Sequence, residues 1–548
     1  MNRTWAIVLG VIAVVAAGGF LLFRTYGSYL PGIIGNLRDP IAANHAVDWQ
    51  QGPAAAPEGE RPPNIIVIVA DDLGFNDISF YGGGLGRGSV RTPNIDALAL
   101  EGVSVESAYA ANATCSPSRA AIMTGRYPTR FGFEFTSAPV AFARYISHVD
   151  SESLRQAIYH EEREADVPPL ETLGLPPSEL TIAELLQQRG YHTLHIGKWH
   201  LGENAERRPE SQGFDESLGF MQGAAMFLPP SDPNAVNARL PFDPIDRFLW
   251  ANLPYAVQYN GGQRFRPEGY LTDYFAEQAA AAIAANRNRP FFMYLAFNAV
   301  HTPLQATRAD YDALAQIPDH TERVYAAMVV ALDRAVGRVM QALRDNNVDG
   351  NTLVIFTNDN GGAWYVGLPD INAPYRGWKA TFFEGGIRTP FFARWPGRLP
   401  AGARIDGPAS HIDIFATAAA AAGAAAPDNL DGVNLLPYLR GEARTPPHQR
   451  LFWRSGDYRV VRDGDWKLQV SANPNRVWLF NLRDDPTEQH DLSAQFPERV
   501  AAMRAQIDAQ NAGSPPPLWP ALIEGPVRID VPLNAPWSED QEYIYWSN

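Results

Sequence analysis

The chain has 548 residues, a formal net charge of −15 and 46% hydrophobic residues. It is long enough for one large domain with an appendage, or for two or three smaller domains, with a sizeable core. The acidic charge disfavours a nucleic-acid partner, because phosphate binding requires a basic surface. The only cysteine, Cys115, excludes an intramolecular disulfide. A lone cysteine is most often a small buried hydrophobe unless its context indicates a reactive role.

An uncharged, mostly apolar run from Thr4 to Phe23 is followed by Arg24. Its length, about 20 residues, is what a helix needs to span a bilayer. No clear cleavage site follows, so we expect residues 1–24 to form a retained membrane anchor rather than a cleaved signal segment. Either alternative places the rest of the chain in the periplasm or another extracytoplasmic space. Residues 25–61 are expected to form a spacer.

Three apolar runs predict strands that are buried on both faces of a parallel sheet, at 64–70, 290–296 and 352–357. Helical periodicity lies between them, for example at 181–188 and 323–343. This alternation predicts an α/β fold with a large, mostly parallel central sheet flanked by helices, over residues 62–444. Short aromatic and charged alternations in 445–548 predict a smaller C-terminal α+β subdomain with an antiparallel sheet.

Cys115 begins the segment Cys-Ser-Pro-Ser-Arg-Ala-Ala-Ile-Met-Thr-Gly-Arg at 115–126. Pro117 favours the first turn of a helix, and Ser116 can cap it. Cys115 is therefore predicted at a helix N-terminus, where free N–H groups and the helix dipole favour an anion. A thiolate would be stabilised there too, so an unmodified reactive cysteine is one possible chemistry.

This segment resembles the signature of type I sulfatases of the alkaline phosphatase superfamily, Cys-x-Pro-Ser-Arg followed by Thr-Gly-Arg. The resemblance covers about residues 63–439, including Gly-Lys-Trp-His-Leu-Gly at 197–202, with a weaker match at 479–488. In that family a maturation enzyme oxidises the cysteine to formylglycine (3-oxoalanine), whose hydrate attacks sulfur. The resemblance implies an arylsulfatase-like sulfuric ester hydrolase that releases sulfate from a small-molecule ester. It also implies that a formylglycine-generating enzyme acts on the chain.

Polar residues follow two of the predicted strands: Asp71 and Asp72 after the first, and Asp359 and Asn360 after the third. The carboxyl ends of parallel strands converge where such sheets bind ligands. Carboxylate and amide oxygens suit Ca²⁺ or Mg²⁺, although adjacent aspartates alone are more often caps or turns. The resemblance implies that these four residues bind one Ca²⁺, with the modified Cys115 completing the shell.

Sulfate transfer also needs cations around the anion and a proton donor for the leaving oxygen. Arg119 lies one helical turn after the cysteine and can reach the same ligand. Lys198 and His200 are spaced to share one face of an extended segment. By resemblance, Lys379 and His301 hold the sulfate with help from Lys198. His301 or Lys379 then protonates the leaving group, and His200 serves the formylglycine.

Two other functions remain possible at this point. Phosphonate and phosphate monoester hydrolases of the same superfamily share this core, and a pseudoenzyme could bind a sulfated ligand without converting Cys115. The substrate also remains open among aryl, steroid and sugar sulfates. Phe131, Phe133 and Phe135, with aromatic residues in 220–273, would form an apolar pocket wall for an aryl or steroid group, or else pack these segments onto the core.

Overall fold

The computed structural model describes residues 29–59, 61–149 and 154–548. The expected anchor at 1–24 lies outside the described residues. Within those three ranges, no helix is long and apolar enough to cross a membrane. Part of the expected spacer packs on the main domain: Trp49 is buried in its core, and Ala42 pairs with Phe265.

The described residues form 20 strands and 13 α-helices. The strands are β1 (Asn64–Ala70), β2 (Val103–Val105), β3 (Ala108–Tyr109), β4 (Ile158–Tyr159), β5 (His192–Lys198), β6 (Glu216–Phe220), β7 (Ala235–Ala238), β8 (Gln258–Tyr259), β9 (Phe291–Ala296), β10 (Leu304–Thr307), β11 (Thr352–Asn358), β12 (Phe391–Arg394), β13 (Ala403–Ile405), β14 (Ala409–Ser410), β15 (Arg450–Ser455), β16 (Tyr458–Asp463), β17 (Trp466–Ser471), β18 (Arg476–Asn481), β19 (Ile523–Arg528) and β20 (Tyr543–Ser547). The helices are α1 (Leu30–Arg38), α2 (Pro93–Leu100), α3 (Cys115–Thr124), α4 (Val140–Val149), α5 (Ile182–Gln188), α6 (Asp246–Asn252), α7 (Leu271–Asn286), α8 (Arg308–Ala313), α9 (His320–Asp345), α10 (Glu384–Ile387), α11 (Asp413–Ala421), α12 (Leu436–Leu439) and α13 (Pro497–Ala512).

The main domain is built on a nine-stranded sheet in the order β13-β2-β12-β11-β1-β9-β5-β6-β8. The five strands from β11 to β6 run parallel to their neighbours, and antiparallel pairs occur toward the edges. Successive residues of β1 point into two different apolar cores, so Ile66 and Ile68 face one and Val67 and Val69 the other. This double burial confirms the expected mostly parallel α/β sheet and explains the uninterrupted apolar runs.

The register of the central strands decides where the polar residues emerge. Ala70 of β1 lies opposite Asn358 of β11, and Val69 lies opposite Ala296 of β9. Gly197 of β5 lies opposite Ala296 as well. The residues that follow these strands therefore leave the sheet at one shared edge, which is where open α/β sheets bind ligands.

The C-terminal region contains the predicted antiparallel sheet, formed by β15 to β18 in sequence order. Helix α13 covers one face, where Met503 and Ile507 pack against strand residues. The other face packs on the main domain, with Trp478 edge-on to Phe383. A further sheet joins β19 and β20 to β4, so the chain end pairs with residues near 158.

Four of the aromatic residues that could have lined a pocket lie in the core. Phe131, Phe133 and Phe135 are 7%, 0% and 4% exposed and belong to one apolar core, where Phe133 packs edge-on to Trp519. Phe227 is buried in the other core. These rings therefore attach the inserted segments to the domain and give no support to an aromatic pocket wall.

Candidate active site

Three buried ion pairs form the centre of the site, at the carboxyl edge of the sheet. Their shortest nitrogen–oxygen distances fall between 2.7 and 2.8 Å. Three negative and three positive side chains thus balance one another, which is required where charges are removed from water. The pairs are Lys198–Asp71, Lys379–Asp72 and Arg119–Asp359.

The two members of each pair come from different parts of the fold. Asp71 and Asp72 follow β1 directly, and Lys198 is the last residue of β5. Arg119 extends from the first turns of α3 and contacts Asp359 through both Nε, at 3.0 Å, and Nη2, at 2.8 Å. The Asp72 N–H donates to Asp359 Oδ1 at 3.2 Å, which ties the ends of β1 and β11 together.

Cys115 is the first residue of α3, as predicted, and its Sγ lies 3.7 Å from Asp71 Oδ1 and 3.9 Å from Asp72 Oδ1. The expected capping role of Ser116 is wrong. Thr114 occupies the N-cap position in extended conformation. Ser116 is the second residue of the helix, and its hydroxyl is buried without a hydrogen-bond partner. Burial raises the pKa of the Cys115 thiol, so the surroundings disfavour a free thiolate as the reactive species.

The donor atoms at this edge fit a hard divalent cation. Single atoms of Asp71, Asp72, Cys115 and His301 lie within 4.8 Å of one another. Asn360 donates through Nδ2 to Asp72 Oδ1 at 2.8 Å, whereas its Oδ1 is buried without a partner. Burial raises the pKa of Asp71 to about 7, so more positive charge would stabilise its carboxylate. A cation bound through oxygen ligands would give the Asn360 Oδ1 a partner and would add positive charge beside Asp71.

His301 presents a lone pair to the site. Its Nδ1 lies 2.6 Å from the Thr302 carbonyl oxygen, which can only accept, so the hydrogen is assigned to Nδ1. Burial lowers the pKa of His301 to about 3, which favours the neutral ring. Nε2 then faces Asp72 Oδ2 at 3.6 Å, and two acceptors at this distance are stabilised by a positive charge near them.

The backbone conformation that brings His200 to the site differs from the one that the sequence pattern predicted. Strand β5 ends at Lys198, and His200 has a left-handed backbone with φ of +59°, so the expected extended segment is wrong at this point. Burial lowers the pKa of His200 well below its ordinary value, and its Nδ1 has no hydrogen-bond partner. A neutral imidazole with one free ring nitrogen is therefore available close to the charged pairs.

Tyr365 is a site residue that sequence reasoning missed. Its hydroxyl donates to Asp72 Oδ2 at 2.8 Å and accepts from Lys379 Nζ at 3.0 Å. A tyrosine in Gly-Gly-Ala-Trp-Tyr has no distinguishing pattern, and only the turn after β11 brings it into contact with Asp72 and Lys379.

The backbone conformation also marks this region as a functional site. Asp72, His200 and Ala380 all have positive φ, a strained conformation that is frequent at functional sites.

The sulfatase family profile matches residues 63–424, which is well over half of the chain. The chain belongs to the sulfatase family. A second profile, for the C-terminal part of N-sulphoglucosamine sulphohydrolase, matches residues 376–512. Membership makes this protein a sulfuric ester hydrolase and favours that activity over the phosphonate hydrolase and the pseudoenzyme.

Individual relatives agree with this assignment. The sulfatase is 34% identical to dog (Canis lupus familiaris) N-acetylgalactosamine-6-sulfatase, over 74% of this chain and 70% of the relative. It is 33% identical to mouse (Mus musculus) steryl-sulfatase, over 84% and 83%. Among solved structures, Ps i-CgsB in complex with k-i-k-neocarrahexaose has a TM-score of 0.69 at 32% identity, covering 84% of this chain and 95% of that one.

We predict that Tyr365→Phe lowers kcat/KM, because Asp72 and Lys379 both lose a hydrogen bond to the hydroxyl. Hydrogen bonds to charged groups contribute about 1.5–3 kcal/mol, so a loss of roughly tenfold or more is expected. The measurement is steady-state turnover of a chromogenic aryl sulfate. Tyr375→Phe is the matched control, because that ring packs on Phe75 instead of entering the site. Equal effects of the two substitutions would contradict the role of Tyr365.

Proposed function

We propose that this sulfatase uses a formylglycine made from Cys115 as its nucleophile and that it holds one Ca²⁺. The observation that carries the proposal is the position of the Cys115 Sγ, at the positive end of α3 and within 4 Å of Asp71 and Asp72. A hydrated aldehyde supplies an oxygen nucleophile at that point in place of a buried thiol. A formylglycine-generating enzyme must therefore act on the chain before it is active.

Ca²⁺ would be held by the oxygen ligands at the ends of β1 and β11, together with the modified side chain of Cys115. These residues are Asp71, Asp72, Asp359 and Asn360. The buried, unpartnered Oδ1 of Asn360 supports this ligand set. When bound, the ion supplies a Lewis acid that offsets the negative charge of a sulfate ester.

The protein side chains would then orient the ester and move its protons. Arg119 fixes Asp359, and Lys198 fixes Asp71, so both cations stay at the anion-binding edge. His200, with its free Nδ1, would orient the nucleophile. Of the two candidate proton donors, Lys379 is an ammonium group paired with Asp72 at 2.8 Å, whereas His301 presents a lone pair. We therefore assign the leaving-group proton to Lys379.

The first test of this proposal is Cys115→Ala. We expect turnover to fall at least about a thousandfold, because the nucleophile is removed. The melting temperature should change little, since one small side chain is shortened. Ser116→Ala is the matched control, as its hydroxyl has no partner in the same helical turn. Mass analysis of the tryptic peptide 92–119 should show formylglycine in active material. An unmodified cysteine in fully active enzyme would contradict the proposal.

The second test removes the metal. Chelation should abolish turnover and lower the melting temperature, because an ion that binds only the folded state stabilises it by mass action. Added Ca²⁺ should reverse both effects, and elemental analysis should find one calcium per chain. Active enzyme that contains no divalent ion, or that contains stoichiometric zinc, would show that the ligand assignment is wrong.

We further propose that the chain is exported and attached to a membrane through residues 1–24. Helix α1, in the described part of the chain, supports this attachment because none of its residues is buried. Leu30, Ile33, Ile34 and Leu37 are 42%, 53%, 45% and 78% exposed, and their spacing places them on one helical face. An exposed apolar helix face that follows an uncharged run of bilayer length is suited to the membrane interface.

Fractionation tests this attachment. We expect the full chain to sediment with membranes and to resist extraction by high salt, because apolar contacts hold it. Deletion of residues 1–24, with a replacement export signal, should release folded and active enzyme. Full-length protein found wholly in the soluble fraction would contradict a retained anchor.

A further inference from the structure

A second group of buried charges lies away from the sulfate-binding edge, between the main domain and the C-terminal sheet. Lys467 Nζ lies 2.8 Å from Glu384 Oε1 and 3.0 Å from Glu488 Oε1, and all three side chains are fully buried. Glu384 also accepts from Tyr109 at 2.8 Å and pairs with Arg388 at 2.9 Å. None of these residues contributes to the proposed chemistry, although burying such charges is costly.

Glu384 belongs to the segment 376–388 that carries Lys379. The Gly385 N–H donates to the Arg376 carbonyl at 2.7 Å, which closes the segment into a loop. On its inner side, Lys379 N–H donates to the Gly362 carbonyl at 3.0 Å, and Ala380 N–H donates to the Ala113 carbonyl at 2.8 Å. The inner side is thus fixed to the turn after β11 and to the residues just before Cys115.

The outer side of this loop is held by the C-terminal subdomain. Glu384 N–H donates to Glu488 Oε2 at 2.5 Å, and Arg376 Nη1 donates to the Glu488 carbonyl at 3.1 Å. Phe382 N–H donates to the Tyr458 hydroxyl at 3.2 Å. Glu488 therefore contacts the loop at two positions, at Glu384 through its carboxylate and at Arg376 through its backbone carbonyl.

The Glu488 carboxylate is itself held in one orientation. Oε1 accepts from Lys467 and from Gln469 Nε2 at 2.9 Å, which leaves Oε2 for the loop. Glu488 has a left-handed backbone with φ of +58°, so its place in the chain is also constrained. It lies in Asp-Asp-Pro-Thr-Glu, the weak tail motif of the sequence, which the proposed chemistry leaves without a role.

We infer that Glu488, oriented by Lys467, is a positioning residue that holds the 376–388 loop so that Lys379 reaches Asp72 and the sulfate group. The inference rests on the proposed role of Lys379. A buried acceptor that fixes the Glu384 amide restricts the loop at five residues from Lys379, and small displacements at a catalytic group are costly. The C-terminal subdomain would then be part of the catalytic apparatus.

If Glu488 had only a structural role, other buried carboxylates that pair across the same interface would have the same role. Glu134 provides the comparison. It is 2% exposed, pairs with Arg454 of the C-terminal sheet at 2.8 Å, and accepts from the Gly456 N–H at 2.7 Å. It matches Glu488 in burial and in bonding but has no contact with the Lys379 loop among its described hydrogen bonds. Glu134→Gln therefore controls for the loss of one buried interface carboxylate.

The experiment compares Glu488→Gln with Glu134→Gln in the full chain, by hydrogen exchange and by turnover of an aryl sulfate. For Glu488→Gln we expect faster amide exchange in peptides covering 376–388, and a loss in kcat/KM of roughly tenfold to 100-fold that falls mainly on kcat. For Glu134→Gln we expect faster exchange near 131–136 and kcat/KM within about twofold of the parent. Turnover is measured well below the melting temperature of each variant.

Each result supports or overturns the inference. Unchanged exchange in 376–388, or an equal loss of kcat in both variants, would overturn it. If Glu488→Gln fails to fold, Tyr458→Phe replaces it, because it removes one outer anchor of the loop with a smaller change. Lys379→Ala separates the two proposals. Unchanged turnover in that variant would overturn the role of Lys379. If turnover falls in Lys379→Ala but stays normal in Glu488→Gln, only the positioning role is overturned.

Discussion

The structure depends on the balance of charge in a buried site. Three carboxylates gather where β1 and β11 end, and each is neutralised by a cation from another part of the fold. Without those partners the carboxylates would repel one another and the buried charges would destabilise the fold by several kcal/mol. The pairing makes the cluster compatible with folding.

Buried charges are also paired at the boundary between the main domain and the C-terminal subdomain. Lys467 pairs there with two glutamates, one from each side, and Arg388 supplies a second positive charge beside Glu384. Glu384 is on the segment that supplies Lys379, so the second charge cluster is linked to the first through a short stretch of chain. The C-terminal sheet thus differs from an appendage, because its buried polar residues contact the backbone of the segment that carries Lys379.

The sequence predicted the fold class well, because β1, β9 and β11 are apolar without interruption. Such runs are stable only when both faces of a strand are covered, which already indicates a parallel sheet with helices on each side. Motif order also identified the polar residues of the site, since aspartates directly after a buried strand must lie at the sheet edge. The resemblance to sulfatases added the roles, which spacing alone does not contain. The roles of individual site residues and the domain boundaries stay predictions.

Local pattern could not decide between alternatives where contacts join residues far apart in the chain. The phenylalanines at 131–135 alternate as a pocket wall would, yet Trp519 packs against Phe133 and places them in the core. Tyr365 has no pattern that marks it, and the weak match at 479–488 that contains Glu488 does not indicate which residue Glu488 contacts.

By itself the sequence determined three buried strands of the sheet, the helix that starts at Cys115 and the set of ionisable residues, because periodicity and strand ends are local properties. Only the tertiary structure decided which cation neutralises which carboxylate, and which acceptor holds the Lys379 loop. Those pairings depend on side-chain distances across the fold.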